Sequence, residues 1–114
     1  SIEIMERHRH RYEVNPKFKD DMIKVPQIGW NKIYNSKEWN NSPLKDISQN
    51  EFMYFVHSYY VDPSDKKNIL NYSKYENFEY CSSIINKNIF ATQFHPEKSS
   101  FEGIKIYKNW SKLL

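Results

Sequence analysis

Residues 93–99 read "QFHPEKS", with a histidine and a glutamate separated by one proline. An imidazole changes charge near neutral pH, so His95 can take a proton from a nucleophile. Glu97, linked through the stiff Pro96, can accept from the other ring nitrogen, fix the tautomer and steady the imidazolium. The spacing suits a general base and the acid that orients it. A solvated surface histidine beside a glutamate has the same spacing, so the pair alone does not decide between the two readings.

The elements that would carry this pair are mostly strands. "EFMYFVHSYYV" (51–61) alternates Phe52, Tyr54, Val56, Ser58 and Tyr60 with Met53, Phe55, His57, Tyr59 and Val61. Both sets are largely apolar, which predicts one strand covered on two faces. "FEYCSSII" (78–85) and "NIFATQF" (88–94) predict two strands joined by a hairpin turn at "NKN". "VPQIGWNKIY" (25–34) predicts an extended segment bent at Gly29, and the polar "NSKEWNNSPLKDISQN" (35–50) a loop. The tail "SSFEGIKIYKNWSKLL" predicts a helix, with Ile104, Tyr107, Trp110 or Ser111, and Leu114 on its apolar face. Gly103 weakens that helix near its start. The head "SIEIMERHRHRYEV" partly alternates and predicts a strand, followed by a helical turn after Pro16.

At 114 residues, the chain is one domain or a piece of one. Aromatic residues make up 17%, enough rings for a packed core despite the polar average. A net charge of +3 with dispersed carriers implies neither nucleic acid nor membrane. One cysteine, Cys81, excludes an internal disulfide framework and fits a reducing compartment. No apolar run approaches the roughly 20 residues of a membrane span, so a soluble cytoplasmic protein is expected. The chain opens on serine, and a trimmed or rearranged piece of a longer protein is expected.

"QFHPEKS", with Gly103 and Ile104 following, resembles the C-terminal signature of class I glutamine amidotransferases. "VPQIGWNKI" (25–33), "YFVHSYYV" (54–61) and "IFATQFHPEKS" (89–99) together resemble, in order, the glutaminase subunits of imidazole glycerol phosphate synthase, or a close relative serving another ammonia-using synthase. The likeness covers about residues 25–114. It implies the C-terminal part of an α/β amidotransferase domain, β-rich and ending in a helix. It further implies His95 as general base and Glu97 as its orienting acid. Ser58 and Tyr59 would hold the amino-acid end of glutamine through their backbone. Trp30 and Lys98 would face an ammonia-accepting synthase, although a core aromatic and a solvated charge explain these two as well. No cofactor and no metal are implied.

In that family the base activates a cysteine in a G-x-C-x-G strand-to-helix elbow. The chain has no such elbow: its two glycines are Gly29 and Gly103, and Cys81 stands in "EYCSS". Cys81 is read as a packed core thiol. The nucleophile is missing, and the 114 residues alone are expected to be inactive.

The head raises a separate question. "ERHRHRYEVN" (6–15) resembles the glutaminase domain of CTP synthase, where the residues matching Arg11 and Tyr12 would help bind glutamine. Residues 1–24 are therefore read as a segment of that character, and 25–114 as the amidotransferase portion. "HRY" (10–12) and "HSY" (57–59) would occupy the same place beside the substrate, and "HSY" is expected to hold it. "RHRHR" could also grip phosphates, with Tyr12 stacking on a base. His8 and His10 could bind a metal, but no third ligand has a recognisable spacing. A solvated basic strand edge accounts for the cluster more simply.

Two functions follow. One is a glutaminase portion supplying ammonia to a partner synthase; the other is a non-catalytic remnant that keeps only partner or ligand contacts. With half the domain absent, exposed apolar sheet is expected, and with it self-association or dependence on a complementary chain.

Overall fold

The computed structural model describes residues 12–13 and 24–113. The helical turn expected after Pro16, and Arg11, lie outside the described residues. Strands β1 (Tyr12–Glu13), β2 (Gln27–Asn35), β3 (Glu51–His57), β4 (Tyr60–Val61), β5 (Ile69–Tyr75), β6 (Phe78–Asn86) and β7 (Ile89–Thr92) are followed by helix α1 (Ser100–Leu113). Short 3-10 turns cover Lys66–Asn68 and Pro96–Lys98. The result is a mixed α/β domain, mostly strands, with one helix at its C-terminal end among the described residues.

The sheet runs β1-β4-β6-β5-β2-β3, and β7 joins β6 beyond β4. The described pairings are all antiparallel. β6 and β7 meet through a tight turn at Lys87–Asn88, where Lys87 has a positive φ of 57°. Gly29 lies inside the continuous strand β2, where its φ of 131° is a conformation that side-chain-bearing residues rarely adopt.

Ile69, Cys81 and Ile84 form a small second cluster, and the main core lies between the sheet and α1. Ile33, Met53, Phe55, Leu70, Tyr80, Phe90 and Phe94 pack there against Ile106 of α1. The polar 36–50 segment closes over it by burying Trp39, Leu44 and Ile47. The Trp39 indole donates to the Leu70 carbonyl at 2.9 Å, which pins the segment to β5. The loop matches the sequence expectation; its contribution to the core goes beyond it.

The structure corrects three expectations. Residues 51–61 are two strands, interrupted at Ser58 and Tyr59. The β2–β3 hairpin is covered on one face only. Opposed pairs Ile28–Val56, Trp30–Tyr54 and Lys32–Phe52 share the outer face, where Ile28 is 63% exposed. This is the exposed apolar sheet anticipated for an incomplete domain. The helix buries Gly103 and Ile106 and leaves Ile104 exposed, so its inner face is rotated from the expected stripe.

Candidate active site

Backbone geometry delivers His95 to the rim of the sheet. β7 ends at Thr92, and the His95 amide donates to the Tyr54 carbonyl of β3 at 2.9 Å. His95 then caps the Pro96–Lys98 turn, whose Pro supplies the helical φ and lacks only an N–H that would be orphaned there. Ser99 locks the turn. Its buried hydroxyl donates to the His95 carbonyl at 2.6 Å and accepts the Tyr54 amide at 2.9 Å. Ser99 and Gly103 belong to the sequence signature without a role of their own there, yet both fix where the imidazole sits.

His95 Nδ1 lies 3.1 Å from Glu97 Oε2, and the Tyr107 hydroxyl donates to Glu97 Oε1 at 3.3 Å. Partial burial works to raise the Glu97 carboxyl. Hydrogen bonds from its own backbone amide, His95 and Tyr107, with the imidazole charge, outweigh this and hold it below its ordinary value. Its side chain is 49% exposed, so solvent screens the pair and its worth is orientation more than stability.

The cleft beside this pair has a volume of about 780 Å³. The end of β3, strands β6 and β7, the Pro96 turn and α1 form its walls. Ser58, Tyr59, His95 and Glu97 all line it, so the structure brings together four residues singled out from the sequence. Trp30 and Lys98 do not line it. Trp30 is 53% exposed on the outer face of β2, edge-on to Tyr54, and Lys98 is exposed on the turn. Tyr12 belongs to β1, which pairs with β4 at Val61, two residues after Tyr59.

Cys81 lines the cleft too, as a buried free thiol. Burial pushes its thiol up to about 12, against a backbone hydrogen bond with Ser83 and the Lys66 charge. A thiol so held is almost wholly protonated at neutral pH. Among the described residues, no group of three or more His, Cys, Asp or Glu could hold a metal ion.

A polar cluster escapes the sequence reading altogether. His57 Nδ1 donates to the Tyr59 carbonyl at 2.8 Å, while its Nε2 lies 2.9 Å from Gln27 Oε1 and 3.2 Å from the Tyr80 hydroxyl. Tyr80 also donates to Gln27 Oε1 at 2.8 Å. Burial lowers the His57 ring below its ordinary 6.5; the Tyr59 carbonyl opposes this, and His95 reinforces it. A neutral ring needs a donor at Nε2: Gln27 supplies it by a half-turn of its amide, or Tyr80 by turning its one proton from Gln27 to the ring.

The sign of the consequence is fixed. The unfolded ring binds its proton first as pH falls below about 6.5, so His57 favours the folded state above that pH and loses this contribution below it. Urea midpoints should therefore fall between pH 7 and pH 5, and fall less in H57N. Equal falls in both proteins would show that the ring is not held neutral.

A family model for glutamine amidotransferase class-I matches residues 21–112. The chain is 44% identical over 94 residues to imidazole glycerol phosphate synthase subunit HisH of Dehalococcoides mccartyi (strain CBDB1), covering 82% of this chain and 44% of the relative. It is 38% identical to the HisH subunit of Leptospira borgpetersenii, covering 82% of this chain and 45% of that one. For the HisH subunit of Pyrococcus furiosus the identity is 40%, with 80% and 46% covered. The chain thus spans somewhat under half the length of these curated relatives. The matched segment includes the His95 turn, the Ser58–Tyr59 break and the helix that backs them, and the chain belongs to the class-I glutamine amidotransferase family.

Proposed function

We propose that this chain carries the base side of a glutaminase site, the amidotransferase portion being residues 25–114. His95 takes the proton of a cysteine thiol supplied by sequence outside these 114 residues, and Glu97 orients the ring. The thiolate adds to the carboxamide carbon of glutamine, which the backbone of Ser58 and Tyr59 holds by its amino-acid end. The C–N bond breaks as the imidazolium returns its proton to nitrogen, and ammonia leaves a thioester. Water, deprotonated by the same ring, cleaves the thioester; glutamate departs and the proton returns to sulfur.

The observation that carries this reading is the 3.1 Å contact of His95 Nδ1 with Glu97, at the rim of a cleft that Ser58 and Tyr59 also line. The relatives are named as subunits of imidazole glycerol phosphate synthase, and a synthase of that kind is the proposed acceptor of the ammonia. Trp30 and Lys98 would face it, and the exposed Ile28, Phe52 and Val56 extend the apolar surface around Trp30. The same surface would support self-association when no partner covers it. The head, residues 1–24, is proposed as a CTP-synthase-like segment. The pairing of β1 with β4 runs beside the turn that Arg11 and Tyr12 would have to reach.

A second reading, a remnant that binds a partner without catalysis, is favoured by one observation: the chain's single cysteine is Cys81, buried in a strand without flanking glycines. A direct assay separates the two. The purified chain should release no glutamate from L-glutamine above the protein-free blank. Adding a separately expressed amidotransferase segment that contains a G-x-C-x-G elbow should restore hydrolysis. Activity in the chain alone would overturn the need for an outside cysteine, and a mixture that binds but never hydrolyses would favour the remnant.

A further inference from the structure

The two residues proposed to hold glutamine stand in a gap between β3 and β4, where no strand pairing fixes them. Tyr59 is exposed and Ser58 half-buried. A backbone that must bind a ligand from such a gap needs another restraint, and the structure provides one from the preceding residue.

We propose that His57 is a positioning residue for this turn: its Nδ1–H, given to the Tyr59 carbonyl at 2.8 Å, sets the Ser58–Tyr59 backbone from within the protein. A side-chain donor closing onto a carbonyl two residues on fixes the intervening peptides much as local polar turns do. The ring itself is held from behind. Gln27 faces His57 across the β2–β3 ladder and meets Nε2 at 2.9 Å, with the Tyr80 hydroxyl at 3.2 Å. Gln27 and Tyr80 are both buried, so neither is free to swing away into solvent. Phe55 and Tyr80 flank the imidazole with ring centroids 5.8 Å and 5.4 Å from its own. A hydrogen-bonded end, a packed middle and a donor at the far end make the ring a strut.

The role rests on the reading of Ser58 and Tyr59 as the glutamine-holding segment, but its first tests need neither glutamine nor a nucleophile. In 15N spectra of the intact chain at neutral pH, His57 should be the Nδ1–H tautomer, the minority form of a free imidazole. An Nε2–H tautomer would overturn the proposal. Two variants then separate the donor from the packing. H57N places an amide nitrogen near the position of Nδ1, whereas H57Q carries its nitrogen toward Nε2. Amide hydrogen exchange at Ser58, Tyr59 and Tyr60 should stay within about two-fold of the parent in H57N and rise about ten-fold in H57Q, the scale of one lost hydrogen bond. Equal exchange in the two variants would overturn the strut.

L-glutamate titrated into the same samples tests the underlying reading separately. Shifts of the Ser58 and Tyr59 amides in the parent and H57N, with affinity at least about three-fold weaker in H57Q, are expected if the strut presets the binding backbone. No shift in any sample, with the exchange contrast intact, would sink the substrate reading and leave the strut standing.

Discussion

Replacing Gly103 with alanine should destabilise the fold by about 3 kcal/mol, despite putting a better helix former into α1. On propensity alone the change should gain about 1 kcal/mol. The geometry reverses that sign. A Cβ at position 103 would lie 2.1 Å from the Pro96 carbonyl oxygen, 3.0 Å from its carbon and 2.7 Å from Ser99 Cβ. Two of these atoms are backbone and the third is the root of a side chain, so no rotamer change relieves the overlap. Either α1 must lift away from the turn or the turn must deform. The Gly103 amide also donates to the Ser99 carbonyl at 3.1 Å, and Ser99 holds both the His95 carbonyl and the Tyr54 amide. The strain therefore arrives at the His95 turn. Urea unfolding of G103A beside K108A, a solvent-facing helix change expected to stay within about 0.5 kcal/mol, reads the effect. A G103A protein as stable as its parent would mean that the helix does not seat on the turn as described.

The contrast between that glycine and its sequence signal shows what was legible. The "HPEKS" turn announces itself because proline, histidine and glutamate are each needed by type. Gly103, beyond its place in the family signature, reads as a weak point in a helix, because its reason is a neighbour seven residues back in a different element. The helix face fails for the same cause: close seating on Pro96 and Ser99 turns Gly103 and Ile106 inward, and Ile104 out. β5 gives no strand signal because its inward positions Asn71 and Ser73 look like loop residues. They are buried against β6 instead. Asn71 donates to the Ser82 hydroxyl at 2.6 Å, Ser73 and Ser82 hydroxyls lie 2.8 Å apart, and the Ser83 hydroxyl donates to Asn71 Oδ1. A polar ladder satisfied within the sheet can be buried at modest cost, but no periodicity of apolar residues reports it. The His57 strut is hidden more thoroughly still. Its parts come from β2, β3 and β6, and only folding makes Gln27 and Tyr80 its neighbours.

His95 and Glu97 should not be equal partners once the site is completed by an elbow-bearing segment. In such an assembly, H95A should lower the rate of glutamate release by about 10³-fold, since general-base assistance is typically worth roughly 10²–10⁴. E97Q should cost about 10-fold. Where an orienting carboxylate is buried and alone, its neutral replacement can be almost as damaging as loss of the base. Glu97 is not so placed. Half its side chain meets solvent, its contact with His95 is a 3.1 Å pair on the rim, and water can take over part of its role. The amide introduced by E97Q would still reach the ring, and the Tyr107 hydroxyl would still anchor the side chain on its far side. The cost left is that of losing the charge that steadies the imidazolium, which a high-dielectric surface makes small. Single-turnover rates for the two variants, measured with saturating elbow segment, separate chemistry from assembly. A loss of about 10³-fold in both would place Glu97 in a drier environment than the rim of this cleft, with the added segment burying it. An H95A assembly that keeps its rate would remove His95 as the base, and with it the glutaminase reading of the cleft.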